Sequence, residues 1–181
     1  MRIALVTVLA LFLAGCGRAQ SAAAGMKLTS GAIAADGRID ARQSGYGQNL
    51  SPPLAWSSVA GAKAYAIILE DPDAPGARPF VHWLIWNIPG SVTALPEGLP
   101  TNSTLQNPAA AIQGANDAAG TGYSGPHPPS GVHHYHFRIF ALDERLGLAP
   151  GAGHDALTHA MNGHVLAIGD LSGTFAAPGA H

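Results

Sequence analysis

The chain has 181 residues, 47% of them hydrophobic and only 11% charged, with a formal net charge of −2. That length favours one domain with one sizeable core. The lack of a basic run excludes a sequence-independent nucleic-acid footprint, which needs clustered Lys and Arg. The chain carries nine histidines against nine Lys and Arg together, so a polar site here rests on imidazoles and carboxylates rather than on a lysine cluster.

In chain order, Arg2 gives a short positive start, and residues 3–14 form an apolar stretch shorter than the ~20 residues that span a bilayer. The stretch ends in Leu13-Ala14-Gly15-Cys16, small residues suited to signal-peptide cleavage. A cysteine directly after them resembles the lipobox of bacterial lipoproteins. The expectation is a lipoprotein signal peptide over 1–15, with lipid on the Cys16 thiol. An ordinary signal peptide is the alternative. Cys16 is the only cysteine, so it has no disulfide partner within the chain. Residues 16–25 then read as the lipidated cysteine and a flexible tether, and 26–181 as the folded domain. Acyl chains anchor at ~0.8 kcal/mol per buried CH₂, which places the domain in a bacterial cell envelope, extracytoplasmic and facing the periplasm.

Gly (23) and Pro (14) are abundant, which suits turns and short strands. Strands are predicted over 26–33, 64–70, 81–88, 134–142 and 164–168. Those at 64–70 and 81–88 are apolar on both alternating faces and belong inside a sandwich or under a covering layer. One short amphipathic helix is predicted over 155–162, with Gly163 as its stop and Asp155 as a cap. Residues 94–119 read as a long irregular connection, of the kind that often carries function. The fold class is all-β with minor helix: a β-sandwich with one or two short peripheral helices.

Two stretches concentrate the polar chemistry. In Asp71-Pro72-Asp73-Ala74-Pro75, the prolines fix φ and stiffen a turn that holds two carboxylates together. Like charges at short range demand a neutralising partner; imidazoles could supply it, and His82 follows soon after in the chain. In Gly125-Pro126-His127-Pro128-Pro129-Ser130-Gly131-Val132-His133-His134-Tyr135, strand parity puts His133 and Tyr135 on one face with Phe137 and Ile139, and His134 and His136 on the other. Glycine at 125 admits close backbone approach to a ligand, and free N–H groups at such a turn suit anions.

These stretches, with Asn49-Leu50-Ser51-Pro52-Pro53-Leu54-Ala55-Trp56, His82-Trp83, Asn87-Ile88-Pro89 and Leu95-Pro96-Glu97-Gly98, occur in the order found in phosphatidylethanolamine-binding proteins. The chain resembles that family from about residue 26 to 175, and most of all its bacterial Raf-kinase-inhibitor-like branch. The resemblance implies a β-sandwich with a small anion pocket. By motif position its ligand-binding residues are Asp71, His82, Gly125, His133 and Tyr135, with Asp73 and Pro126 beside them. It implies binding of a phosphate-type anion or phospholipid head group, without turnover and without a cofactor. Some eukaryotic members inhibit kinases or proteases, so a protein-interaction module presenting residues 94–119 is the alternative. His127 and His134 depart from the branch's usual residues. An imidazole at 127 facing the pocket would make anion affinity rise as pH falls.

Other chemistries fit less well. His82, His133 and an aspartate make three candidate metal ligands, but no His pair has helical metal-ligand spacing. Gly122-Tyr123-Ser124-Gly125 begins like a nucleophile elbow, yet Pro126 stands where that motif needs glycine, leaving hydrolase activity the least supported reading.

Overall fold

The computed structural model describes residues 24–180; the signal-peptide and Cys16 expectations lie outside them. The strands are β1 (Ala24–Gly25), β2 (Leu28–Thr29), β3 (Leu54–Trp56), β4 (Ala64–Asp71), β5 (Phe80–Pro89), β6 (Ala94–Leu95), β7 (Ile112–Gln113), β8 (Val132–Leu142) and β9 (Val165–Ala176). A 3-10 turn spans Ala41–Gln43, and the helix α1 spans His154–Met161. A six-stranded sheet runs β1-β9-β8-β4-β5-β7, and a three-stranded sheet runs β2-β3-β6.

The doubly apolar strands are covered on both faces, as their composition requires. All eight residues of β4 are buried. On one face Tyr65, Ile67, Leu69, Trp83 and Ile85 pack against Leu28, Leu54, Trp56 and Leu95 of the smaller sheet. On the other, Ala66, Ile68, Leu84 and Trp86 meet Leu146 and the α1 residues Leu157 and Met161. At about 1.5–3 kcal/mol for each fully buried large side chain, these two strands anchor the hydrophobic stabilisation.

The helix stops where Gly163 takes φ +84°, a conformation glycine adopts without steric cost. Its N-cap is Gly153, with no side-chain cap bond. Asp155 is therefore not the cap expected of it. It lies within the first turn, where its charge faces the positive end of the helix.

Several extents differ from the sequence expectation. Among the described residues pairing begins at Ala24, ahead of Met26, because Ala24 and Gly25 align parallel with Ala167 and Ile168. Only Leu28–Thr29 of the predicted first strand is a strand. The segment 94–119 contains β6 and β7 and buries Leu95, Leu99, Leu105 and Ala111, which makes it part of the packed body. Strand β9 runs eight residues past the predicted end at Ile168. Gly169 and Gly173 hide that continuation, since glycine weakens a strand pattern. Both are needed where other chain crosses close by: an added Cβ would lie 2.6 Å from the Met26 carbonyl oxygen at 169 and 2.7 Å from Ile39 Cγ1 at 173.

Strand β5 carries an irregularity that positions the site. Leu69 pairs with Trp83 but Glu70 with Val81, so His82 is an extra residue, a bulge. A bulge offsets the alternation of faces. Leu84 and Trp86 lie on the helix side; unbroken alternation would put His82 with them. Instead its ring meets Tyr135, a member of the core between the sheets, at 5.3 Å between centroids.

Candidate functional site

Strands β4, β5 and β8 bring Asp71, His82 and His133 to one end of the large sheet. On β8, His133, Tyr135, Phe137 and Ile139 are buried, while His134 and Arg138 are exposed and His136 half-buried. That is the division predicted from strand parity.

The hydrogen bonds fix the site's chemistry. Asp71 Oδ1 accepts from the backbone N–H of Asp73 at 2.8 Å and of Ala74 at 3.0 Å. Its Oδ2 accepts from His133 Nδ1 at 2.7 Å. Of the imidazoles that could neutralise Asp71, His133 is the one bonded to it. His82 Nδ1 instead donates to the Ser124 carbonyl at 2.7 Å. A carbonyl or carboxylate oxygen only accepts, so both imidazoles carry a proton on Nδ1 and leave Nε2 as the free ring nitrogen. Burial pushes the His82 pKa below its ordinary 6.5, against the smaller raising effects of the Ser124 carbonyl and the Asp71 charge. His82 is accordingly neutral at pH 7.

These groups border a cleft of about 510 Å³. Of the seven residues expected at the site, Asp71, His82, Gly125 and His133 line it. The other three stand around it. Tyr135 is fully buried behind His82, and its hydroxyl has no hydrogen-bond partner. Burial, with the nearby Asp71 charge, pushes its phenol pKa up. Its ring packs edge-on against the His82 imidazole at 5.3 Å between centroids. Asp73 turns outward, accepting from the backbone N–H of His134 at 2.8 Å and its Nδ1 at 2.7 Å, bonds that hold its pKa below the usual carboxylate value. Pro126 is buried, and its carbonyl accepts from the Gly45 N–H at 2.8 Å.

Gly125 is placed as expected, but for a different reason. Its N–H is not free for an anion, because it donates to Asn49 Oδ1 at 2.7 Å. A Cβ there would lie 2.1 Å from the Gln43 carbonyl oxygen. The glycine lets the 124–126 loop pack onto the 3-10 turn, not onto a ligand.

His127, the imidazole whose facing the pocket would matter for pH response, does line it; Asn49, Phe80 and Ala118 also line it and were not picked out as site residues from the sequence. Asn49 had a signal: it sits in a Gly-rich loop, and its φ of +56° is one that Asn tolerates. Ala118 had none; it reaches the cleft through the Asp117–Arg78 pair, joined by two bonds of 2.8 Å. Within 94–119 only Ala118 lines this cleft, and the segment borders a separate depression with Pro96, Leu99 and Gln106. Among the described residues, no three His, Cys, Asp or Glu side chains gather as metal ligands.

The family model for phosphatidylethanolamine-binding protein matches residues 25–176. The chain belongs to the phosphatidylethanolamine-binding protein family. A UPF0098 protein of Methanothermobacter thermautotrophicus is 46% identical over 151 residues, 83% of this chain and 98% of that protein. The UPF0098 protein YbcL of Escherichia coli K12 is 35% identical over 130 residues, 70% of this chain and 71% of that protein. The crystal structure of E. coli YbcL, described as a new member of the mammalian family, superposes with a TM-score of 0.76 at 31% identity, covering 84% of this chain and 99% of that one. A family homologue from Chlamydia trachomatis gives 0.74 at 35% identity, covering 83% and 97%. The motif order that suggested phosphatidylethanolamine-binding proteins thus reflects membership of the family, with its sandwich fold.

Proposed function

We propose that the cleft binds a phosphoryl-type anion, free or as part of a head group, without turning it over. One observation carries this reading. Two buried imidazoles that line the same cleft are each locked through Nδ1, which leaves Nε2 as the ring nitrogen for a ligand, while the one carboxylate that lines it among the described residues is occupied by His133 and two backbone N–H groups. Protonated Nε2–H groups donate charge-assisted bonds to an anion. Because burial keeps His82 neutral at pH 7, an anion that uses it brings a proton in with it. Family membership supports the class of ligand.

The test is thermal unfolding with inorganic phosphate. A ligand at about 100 times its Kd stabilises by about 2.7 kcal/mol, or about 5–10 °C for a chain this size. His82→Ala abolishes the shift. No shift at tens of millimolar phosphate overturns the reading. We further propose that lipid on Cys16 ties the domain to a bacterial envelope membrane, supported by the small-residue run that ends in this single cysteine.

A further inference from the structure

The course of the chain into β1 gives the domain a direction. β1 runs parallel to β9, with Ala24 opposite Ala167 and Gly25 opposite Ile168. Strand β9 starts at Val165 and ends at Ala176, and its Phe175 lies opposite His133. The chain therefore enters β1 moving toward the cleft, and what precedes Ala24 leaves by the opposite end of the sandwich. Ala167 is also opposite Ala141. From Ala141 back to His133 along β8 is about 27 Å, at ~3.4 Å per residue.

Cys16 stands eight positions before Ala24. A chain of that length reaches at most about 26–29 Å, and averages about 14–17 Å end to end when it is unstructured. Only full extension along the whole body would bring the cleft to a bilayer that holds Cys16.

The two ends also differ in charge. The chain's two lysines, Lys27 and Lys63, are both exposed at the end away from the cleft. Lys27 follows Met26, whose N–H donates to the Ile168 carbonyl at 2.9 Å, and the Lys63 N–H donates to the Leu142 carbonyl at 2.8 Å. Among the described residues neither lysine joins an ion pair. The acids at that end, Asp143 and Glu144, both face His164, at 2.9 and 3.3 Å. Beside the lysines, Ile168 is exposed and Val59 and Leu166 are half-buried, which adds an apolar element. Toward the cleft the cations are arginines, each matched by an acid: Arg38 with Asp36, Arg42 with Glu97 and Arg78 with Asp117. Asp71 and Asp73 stand there in addition. Anionic head groups attract unmatched lysines at a membrane surface and repel carboxylates.

We infer that the Lys27–Lys63 end of the sandwich lies against the bilayer that holds Cys16, and that the cleft opens away from it. The ligand of the cleft then arrives from the aqueous phase and not from the leaflet that anchors the protein. This inference rests on the lipid anchor proposed above and gives that anchor a direction. The occupant of the lysine end is a bilayer surface with anionic head groups, set there by where the chain leaves the sandwich, by the short span back to Cys16 and by the charge of that end.

The experiment uses the full lipidated chain in vesicles of phosphatidylethanolamine and anionic phosphatidylglycerol that carry a nitroxide-labelled lipid as quencher. Lipid occupies the Cys16 thiol, so a thiol-reactive fluorophore labels only an introduced cysteine. Ala60→Cys, in the exposed turn before Lys63, and Ser130→Cys, in the exposed turn before His133, report the two ends. The expected result is quenching several-fold stronger at position 60 than at position 130, with a smaller ratio when Lys27→Glu and Lys63→Glu are added. Equal quenching, or stronger quenching at 130, overturns this inference and leaves the anchor standing. An unchanged ratio in the charge variant overturns the part assigned to the lysines. A wild-type chain that takes up the fluorophore at Cys16 and stays out of the vesicle fraction overturns the anchor, and the direction with it.

Discussion

Asp71 Oδ2 and His133 Nδ1 lie 2.7 Å apart although 62 positions separate them in the chain. The bond ties the end of β4 to the start of β8 and sets which nitrogen of His133 carries the proton. It also explains why Asp71 can be buried: a carboxylate out of water needs its lone pairs filled, and here the turn 72–74 and His133 fill them. The carboxylate organises the cleft it lines.

Asp71→Ala leaves two backbone N–H groups and His133 Nδ1 without their acceptor. Removing one member of a buried pair costs about 3–5 kcal/mol. The expected outcome is a loss of that size in urea unfolding, with an unchanged denaturant slope. A loss under 1 kcal/mol would show that the bond is not holding the turn.

His82 makes stability and binding depend on pH in opposite senses. Its folded-state pKa lies below 6.5, so the unfolded chain binds the proton more readily. Its contribution to stability is present above pH 6.5 and is lost as pH falls from there through the folded pKa. Anion binding, which uses the protonated ring, tightens over the same interval. Sulfate keeps its charge in this range and isolates the protein's titration. Its affinity should rise as pH falls from 7.5 to 5.5, with proton uptake visible in calorimetry across buffers, and His82→Gln should reduce both. A pH-independent sulfate affinity would rule out the imidazole as donor.

Gly125→Ala places a methyl group 2.1 Å from the Gln43 carbonyl oxygen. Backbone cannot swing aside as a flexible side chain can, so the loop and the 3-10 turn must separate, and the bond from Gly125 N–H to Asn49 is strained. Overpacking of this kind costs about 1–3 kcal/mol. Melting temperature should fall by several degrees and phosphate affinity with it; a fully stable variant would show that the contact relaxes freely.

Cys16→Ser removes the thiol proposed to carry lipid. In cells fed radiolabelled palmitate, the wild-type chain should be labelled and sediment with membranes, and the variant should be neither. A labelled Cys16→Ser chain would move the anchor elsewhere.

Much of the fold was legible in the sequence because its signals are local. Residues of β4 and β5 that are apolar on both faces must be covered on both sides, and they are. The two-residue period of β8 separated His133 and Tyr135 from His134 and His136 without reference to any other strand. What misled was equally physical. Gly169 and Gly173 weaken the strand pattern beyond residue 168, and the reason for them, the close passage of Met26 and Ile39, lies far away in the chain. Tyr135 shares a face with His133, but face alone does not give depth, and Tyr135 is fully buried and does not line the cleft.

The sequence by itself determined the sandwich, the inward face of β8 and the concentration of acids and imidazoles at two turns, since all follow from backbone periodicity and composition over short spans. Only the tertiary structure decided how those groups meet. A bulge of one residue turns His82 from the helix side to the cleft. Asp71 then bonds to His133, and the Ser124 carbonyl takes His82. Such choices depend on register and on the fit of backbone against backbone at Gln43 and Gly125, and those distances exist only once the strands have paired.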